Sequence, residues 1–205
     1  MTYIFHIFLG FIMGYFGLIT PGMLNMTSVK YSIEKGMRQA LIFSAGAAGI
    51  VFIQAMIALG FTDYLVRHPE IIANLKIAGI IVFVLLSVFF FIQSKKNLQI
   101  KNNKTKSKPF ITGIFMSSIN MLAIPFYLAL SAFLNARGHL ILAQPHITFF
   151  VIGAVLGAFS LFVTYAYFAS YISKKIRFIA RNINIILGFL FLFLAVLTFL
   201  KGLNS

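Results

Sequence analysis

Long apolar runs separated by short polar connections repeat along the whole chain. Six of them are about 18–25 residues long, enough to cross a hydrocarbon layer about 30 Å thick: Tyr3–Thr20, Ala40–Phe61, Ile71–Gln93, Phe110–Leu134, Ile147–Ile172 and Ile183–Leu200. Backbone groups in lipid must be satisfied within the segment, so these runs predict helices. The alternating segments of about ten residues that build a membrane barrel do not occur. The first run has an ambiguous end, because apolar character continues past Pro21-Gly22 through Met26 to Tyr31. That is too much chain for one straight crossing.

Composition moves the picture further from a water-soluble domain. Hydrophobic residues make up 60% of the 205 and charged residues 10%, against about 45–50% and 25% in soluble domains. The net charge of +14, with 17 Lys and Arg against Glu34, Asp63 and Glu70, would suggest nucleic acid in a soluble protein. Here its placement excludes that reading. Thirteen basic residues fall in the connections after the first, third and fifth runs: Lys30, Lys35 and Arg38, then Lys95, Lys96, Lys101, Lys104, Lys106 and Lys108, then Lys174, Lys175, Arg177 and Arg181. Only Arg67, Lys76, Arg137 and Lys201 lie on the other side. The positive-inside rule then predicts odd-numbered connections in the cytoplasm and both termini outside a bacterial-type inner membrane. No charged side chain precedes Lys30, so the first run reads as a retained span and not as a signal peptide. The stretch Gln99–Lys108 is polar and Lys/Asn-rich and reads as a solvated linker.

The chemistry available is narrow. The chain has no Cys and four scattered His, and so offers no metal site and no cofactor site. No P-loop occurs. Nothing resembling a Ser/His/Asp set or paired carboxylates could meet at membrane depth, which argues against an enzyme.

Three spans, a linker and three more spans make each half enter the membrane from opposite sides. The fold expected is an all-α integral membrane protein of six transmembrane helices, arranged as two inverted three-helix repeats at 1–94 and 110–205 around a basic linker at 95–109. Spans two and five open alike, with Gly46 and Gly49 in GAAGIVFIQ and Gly153 and Gly157 in GAVLGAFSL. Those four glycines are expected to let helices pack closely. Spans one and four are both interrupted by proline, at Pro21 in GLITPGM and Pro125 in NMLAIPFY. Proline lacks an N–H and frees carbonyls that lipid cannot solvate, so paired interruptions point to a site at mid-membrane.

The stretch GLITPGMLNMTSVKYSIEKGMRQALIFSAGAAG, with NMLAIPFY from Asn120 to Tyr127, resembles the LysE/RhtB family of amino-acid exporters. That family carries a Pro-Gly-Pro element after span one and an Asn-Pro-Lys-Ala element in its second half. The resemblance implies export of amino acids or related small zwitterions. Met23 stands in place of the second proline, and Ile50 stands where many members carry an Asp. No acid lies deep in any run.

Polar residues in apolar runs are candidate functional groups because they are costly in lipid. Thr20, Pro21, Gly22, Asn25, Gln54, Asn120 and Pro125 are expected to form the substrate site or pathway. Ser44, Ser117, Ser118, Ser160 and Thr164 stand behind them. Of Tyr165 and Tyr167, two residues apart on a helix, at most one faces a pathway. Tyr3, Tyr31, Tyr64 and Tyr171 read as interface anchors, and His6 lies near the outer surface. The function expected is a secondary transporter working by alternating access in the lipid bilayer. A non-transporting membrane scaffold or accessory subunit is the alternative. Small-residue faces permit a homodimer.

Overall fold

A computed structural model describes residues 2–68, 108–120 and 122–172, together with scattered residues at 84–95 and 185–200. All regular structure among them is helical. The linker residues 96–107, most of the third apolar run, part of the sixth, and the basic residues at 174–181 lie outside the described residues.

Six helices are described: α1 Thr2–Gly17, α2 Met23–Lys35, α3 Met37–Arg67, α4 Pro109–Ser118, α5 Ala123–Ala136 and α6 His146–Tyr167. α3 and α6 are each long and apolar enough to cross a membrane, and α4 with α5, meeting at 63°, can make a third crossing. α1 is apolar but has only 16 residues, about 24 Å of helix, shorter than the hydrocarbon layer. Among the described helices the fourth run therefore reaches membrane length only by joining two helices across a break.

The breaks follow from local chemistry. Pro21 precedes Gly22, whose extended backbone (φ −99°, ψ −176°) opens α2. Pro125 sits in the first turn of α5, where a missing N–H costs nothing. The same proline cannot bond the carbonyl four residues earlier, so α4 cannot run straight into α5. Gly36 joins α2 to α3 by itself: its φ of +85° turns the chain in one residue, a conformation that side-chain-bearing residues rarely adopt.

The chain divides into two compact units, each drawing on both halves of the sequence: Met1–Val66 with Ile100–Ser173, and Arg67–Gln99 with Lys174–Ser205. In the second unit, Ser87 donates to the Gly188 carbonyl at 2.9 Å and Phe91 meets Phe189 edge-on. These contacts join the third apolar run to the sixth.

The first unit contains all six described helices and is built on close backbone approach. α1 lies along α6. A β-carbon at Gly10 would overlap the Phe150 carbonyl, one at Gly14 that of Ala154, one at Gly153 that of Ile7, and one at Gly157 that of Phe11. α3 and α4 meet in the same way: a β-carbon at Gly46 would overlap the Phe110 carbonyl, and one at Gly113 that of Phe43. Residues 7 and 10 thus stand to 153 and 150 as residues 110 and 113 stand to 46 and 43. Small residues that let helix backbones touch supply the van der Waals contact on which association in lipid depends. Gly49 differs from the other three glycines expected at such contacts. It is exposed, and a β-carbon there meets nothing within 4 Å among the described residues.

Hydroxyls extend the same contacts. Ser28 on α2 donates to the Phe162 carbonyl at 2.8 Å and Ser32 to that of Ala166 at 2.7 Å, fixing α2 along the end of α6. Thr62 on α3 and Ser131 on α5 lie 2.7 Å apart, both buried. Tyr31, expected as an interface anchor, is instead buried. Its ring packs on Phe43 and its hydroxyl donates to Thr112 at 3.2 Å. The end of α2 turns inward against α3 and α4, where the tyrosine finds both an apolar surface and a hydrogen-bond partner.

Candidate functional site at the helix breaks

A broken helix leaves carbonyls at the end of its first half and N–H groups at the start of its second. At the first break the loose carbonyls are those of Leu18, Ile19 and Thr20. Asn25, one turn into α2, donates from its amide nitrogen to Leu18 at 2.8 Å and to Thr20 at 2.7 Å. Tyr165 of α6 donates its hydroxyl to Ile19 at 2.6 Å. All three carbonyls are thereby satisfied by side chains.

At the second break the donor comes from another helix. Gln54, midway along α3 and 6% exposed, donates from its amide nitrogen to the Ser117 carbonyl at 2.9 Å and to that of Asn120 at 3.3 Å. Main-chain bonds from Asn120 N to Ser117 O (3.0 Å) and from Ala123 N to Asn120 O (3.3 Å) complete the turn. The amide orientations at both breaks are fixed by this network, because turning either amide over would set its oxygen against two carbonyl oxygens.

What the amides leave over is oxygen. Asn25 Oδ1, Gln54 Oε1, Ser117 Oγ and the Tyr127 hydroxyl are buried and have no hydrogen-bond partner among the described residues. Buried polar atoms are normally paired, and four such atoms on or beside two helix breaks are a concentration that packing does not explain. No group of three or more His, Cys, Asp or Glu that could hold a metal occurs among the described residues.

The breaks themselves touch. A β-carbon on Gly17, the last residue of α1, would overlap the ring of Phe126, the residue after Pro125. The first unit thus brings Thr20, Pro21, Gly22 and Asn25 next to the segment that carries Asn120 and Pro125, with Gln54 reaching in from α3. Pro21 is buried, while Gly22, Asn120 and Pro125 are partly exposed. Asn120 contributes its main-chain carbonyl to the Gln54 bond.

Other candidates fall into place around this centre. Tyr165 is buried while Tyr167 is 75% exposed, so the two tyrosines do point apart. Ser44 donates back to Ala40 and lies 3.3 Å from Ser28. Thr164 is reached by Tyr15 at 3.2 Å. Ser118 is exposed and turned to Ile114. His6 is buried and accepts from the Ile141 N–H at 3.2 Å, at the opposite end of α1 from the break. A shallow groove along Lys108, Ile111, Thr112 and Phe115 lies at the start of α4, away from the breaks.

Sequence reasoning missed Gly10, Gly14, Gly17, Gly113, Phe126 and Tyr127. The spacing of Gly10 and Gly14, four residues apart on an apolar helix, was a readable signal. The buried hydroxyl of Tyr127 left no trace in the sequence.

Two apolar helices long enough to span a bilayer, a third span broken between α4 and α5, and helix breaks held by buried amides define an integral membrane protein whose irregular backbone is enclosed by protein. A sequence model of the LysE type translocators matches residues 15–202, and the chain belongs to that family. LysE translocators are membrane transporters, commonly amino-acid exporters. Searches of the curated proteins and of the solved structures found no match to the chain.

Proposed function

We propose that the chain is a secondary exporter of amino acids or similar small zwitterions, with its solute site at the paired helix breaks. One observation carries the reading: the breaks after α1 and α4 touch through Gly17 and Phe126 and share a surplus of buried polar oxygens. Thr20, Pro21, Gly22 and Asn25 form one wall, Asn120 and Pro125 the other, and Gln54 closes the second break. Family membership supplies the transporter class.

The matching backbone contacts of α1 with α6 and of α4 with α3 support a relation between the two halves by inverted topology. In that arrangement a change in helix packing around the site alternates its access. The charge bias of the connections supports cytoplasmic placement of the odd-numbered ones, with both termini outside the inner membrane. Ile50 occupies the family's acidic position, so energy coupling here does not run through that carboxylate.

Purified protein in proteoliposomes loaded with a labelled amino-acid mixture tests the proposal. The expected result is release or counterflow of a subset of amino acids, reduced severalfold by Asn120→Ala. No flux of any amino acid, together with an unchanged export phenotype for Asn120→Ala, overturns it.

A further inference from the structure

The second break holds an unpartnered amide oxygen, which can only accept, beside a hydroxyl that can accept as well as donate. Both N–H groups of the Gln54 amide are directed at the carbonyls of Ser117 and Asn120. Among the described residues the oxygen on the same amide is buried and unpartnered, and so is the hydroxyl oxygen of Ser117, one of the residues whose carbonyl the amide holds. Ser117 is fully buried and Gln54 nearly so. These two oxygens belong to one hydrogen-bonded cluster at the carbonyl end of α4, where the helix dipole is negative.

Free lone pairs at the negative end of a helix stabilise a positive charge. No Lys or Arg is buried among the described residues, so the protein supplies no cation of its own there. Unwound carbonyls and the C-terminal ends of half-helices are suited to monovalent cations inside membranes, where neutral oxygens replace a hydration shell. Neutral oxygens can do this without a carboxylate.

We propose that Gln54 Oε1 and Ser117 Oγ, with the carbonyl end of α4, form a subsite for a compact monovalent cation. The cation is either the ammonium group of the transported solute or a free sodium ion. The assignment rests on reading the helix breaks as the solute site, and it deepens that reading by giving the second break a sign: it holds the positive end.

The test uses the full-length protein in detergent and reads binding as thermal stabilisation. Choline chloride, whose quaternary ammonium is bulky and has no N–H to donate, sets the baseline. Sodium chloride or methylammonium chloride is then exchanged for it at constant ionic strength. The expected result is a saturable rise in Tm with at least one of the two. A rise with methylammonium alone assigns the subsite to the solute's ammonium group, a rise with sodium alone to a coupling ion, and competition between them to both. Ser117→Ala removes one unpartnered oxygen and adds no volume. It is expected to keep the choline baseline and weaken the apparent Kd about tenfold, the effect of one charge-assisted hydrogen bond. Ser117→Gly serves the same purpose should the alanine variant not fold. The proposal is overturned if neither cation gives a saturable rise, or if the rise is unaltered in the Ser117 variants. Amino-acid flux without a cation response overturns this assignment alone. A cation response without amino-acid flux overturns the exporter reading and leaves the subsite standing.

Discussion

At the first break, Asn25 takes the carbonyls of Leu18 and Thr20 from seven and five residues away, within its own segment. At the second, Gln54 reaches the carbonyls of Ser117 and Asn120 from another helix, across 63 and 66 residues of chain. The first break is thus closed largely by itself, with Tyr165 of α6 as an outside brace. The second keeps its shape only while α3 stays beside α4. The same chemical problem, carbonyls freed by a proline in lipid, has a local solution in one half and a long-range one in the other. A displacement of α3 along α4 removes the amide from the second break.

Substitutions can break or sharpen that contrast. The largest effect is expected where backbones touch beside the self-held break. Gly10→Leu forces a side chain into the Phe150 carbonyl and should cost about 3 kcal/mol or more. Gly49→Leu, at an open position, should cost almost nothing. Yield of folded protein and unfolding midpoints in detergent would separate them, and equal effects would remove the special standing of the α1–α6 contact.

Next come the two amides. Asn25→Leu strips the side-chain donor from two carbonyls for which no other partner occurs among the described residues, at about 2–3 kcal/mol. Gln54→Leu should cost less, about 1–2 kcal/mol, because the Ser117 and Asn120 carbonyls also accept main-chain bonds. If unfolding midpoints show the Gln54 variant to be the weaker of the two, the second break is the better-held one and the contrast is reversed.

The smallest effect belongs to the outside brace. Tyr165→Phe removes one hydroxyl bond to Ile19 and should lower stability by about 1 kcal/mol. Combined with Asn25→Leu, it should add more than its single effect, since the three carbonyls it helps to hold are consecutive. Strict additivity in a double-mutant cycle would show that the carbonyls are held independently.

Much of this architecture was readable from the chain. The apolar runs, the two prolines and the glycines at Gly46, Gly153 and Gly157 are local features with local causes. Pairing is a different matter. Gln54 is legible as a costly mid-span amide, but the sequence does not say which carbonyls it meets, because that depends on which face of α3 turns to α4. Tyr31 shows the same limit: a tyrosine at the end of an apolar run looks identical whether the run ends at lipid headgroups or against another helix. Gly49 is the converse case. Its spacing from Gly46 suggests one packing face, yet residues three apart on a helix diverge by about 60°, enough to put one of them outside the contact.

Gly36 leaves the joint between α2 and α3 without slack. Neighbouring Cα atoms are about 3.8 Å apart, so the end of α2 and the start of α3 are leashed within two such steps. α2 therefore cannot be displaced alone at that end. A movement of its Lys35 end must draw α3 with it, and the hydroxyls of Ser28 and Ser32 that tie α2 to α6 therefore hold the start of α3 as well.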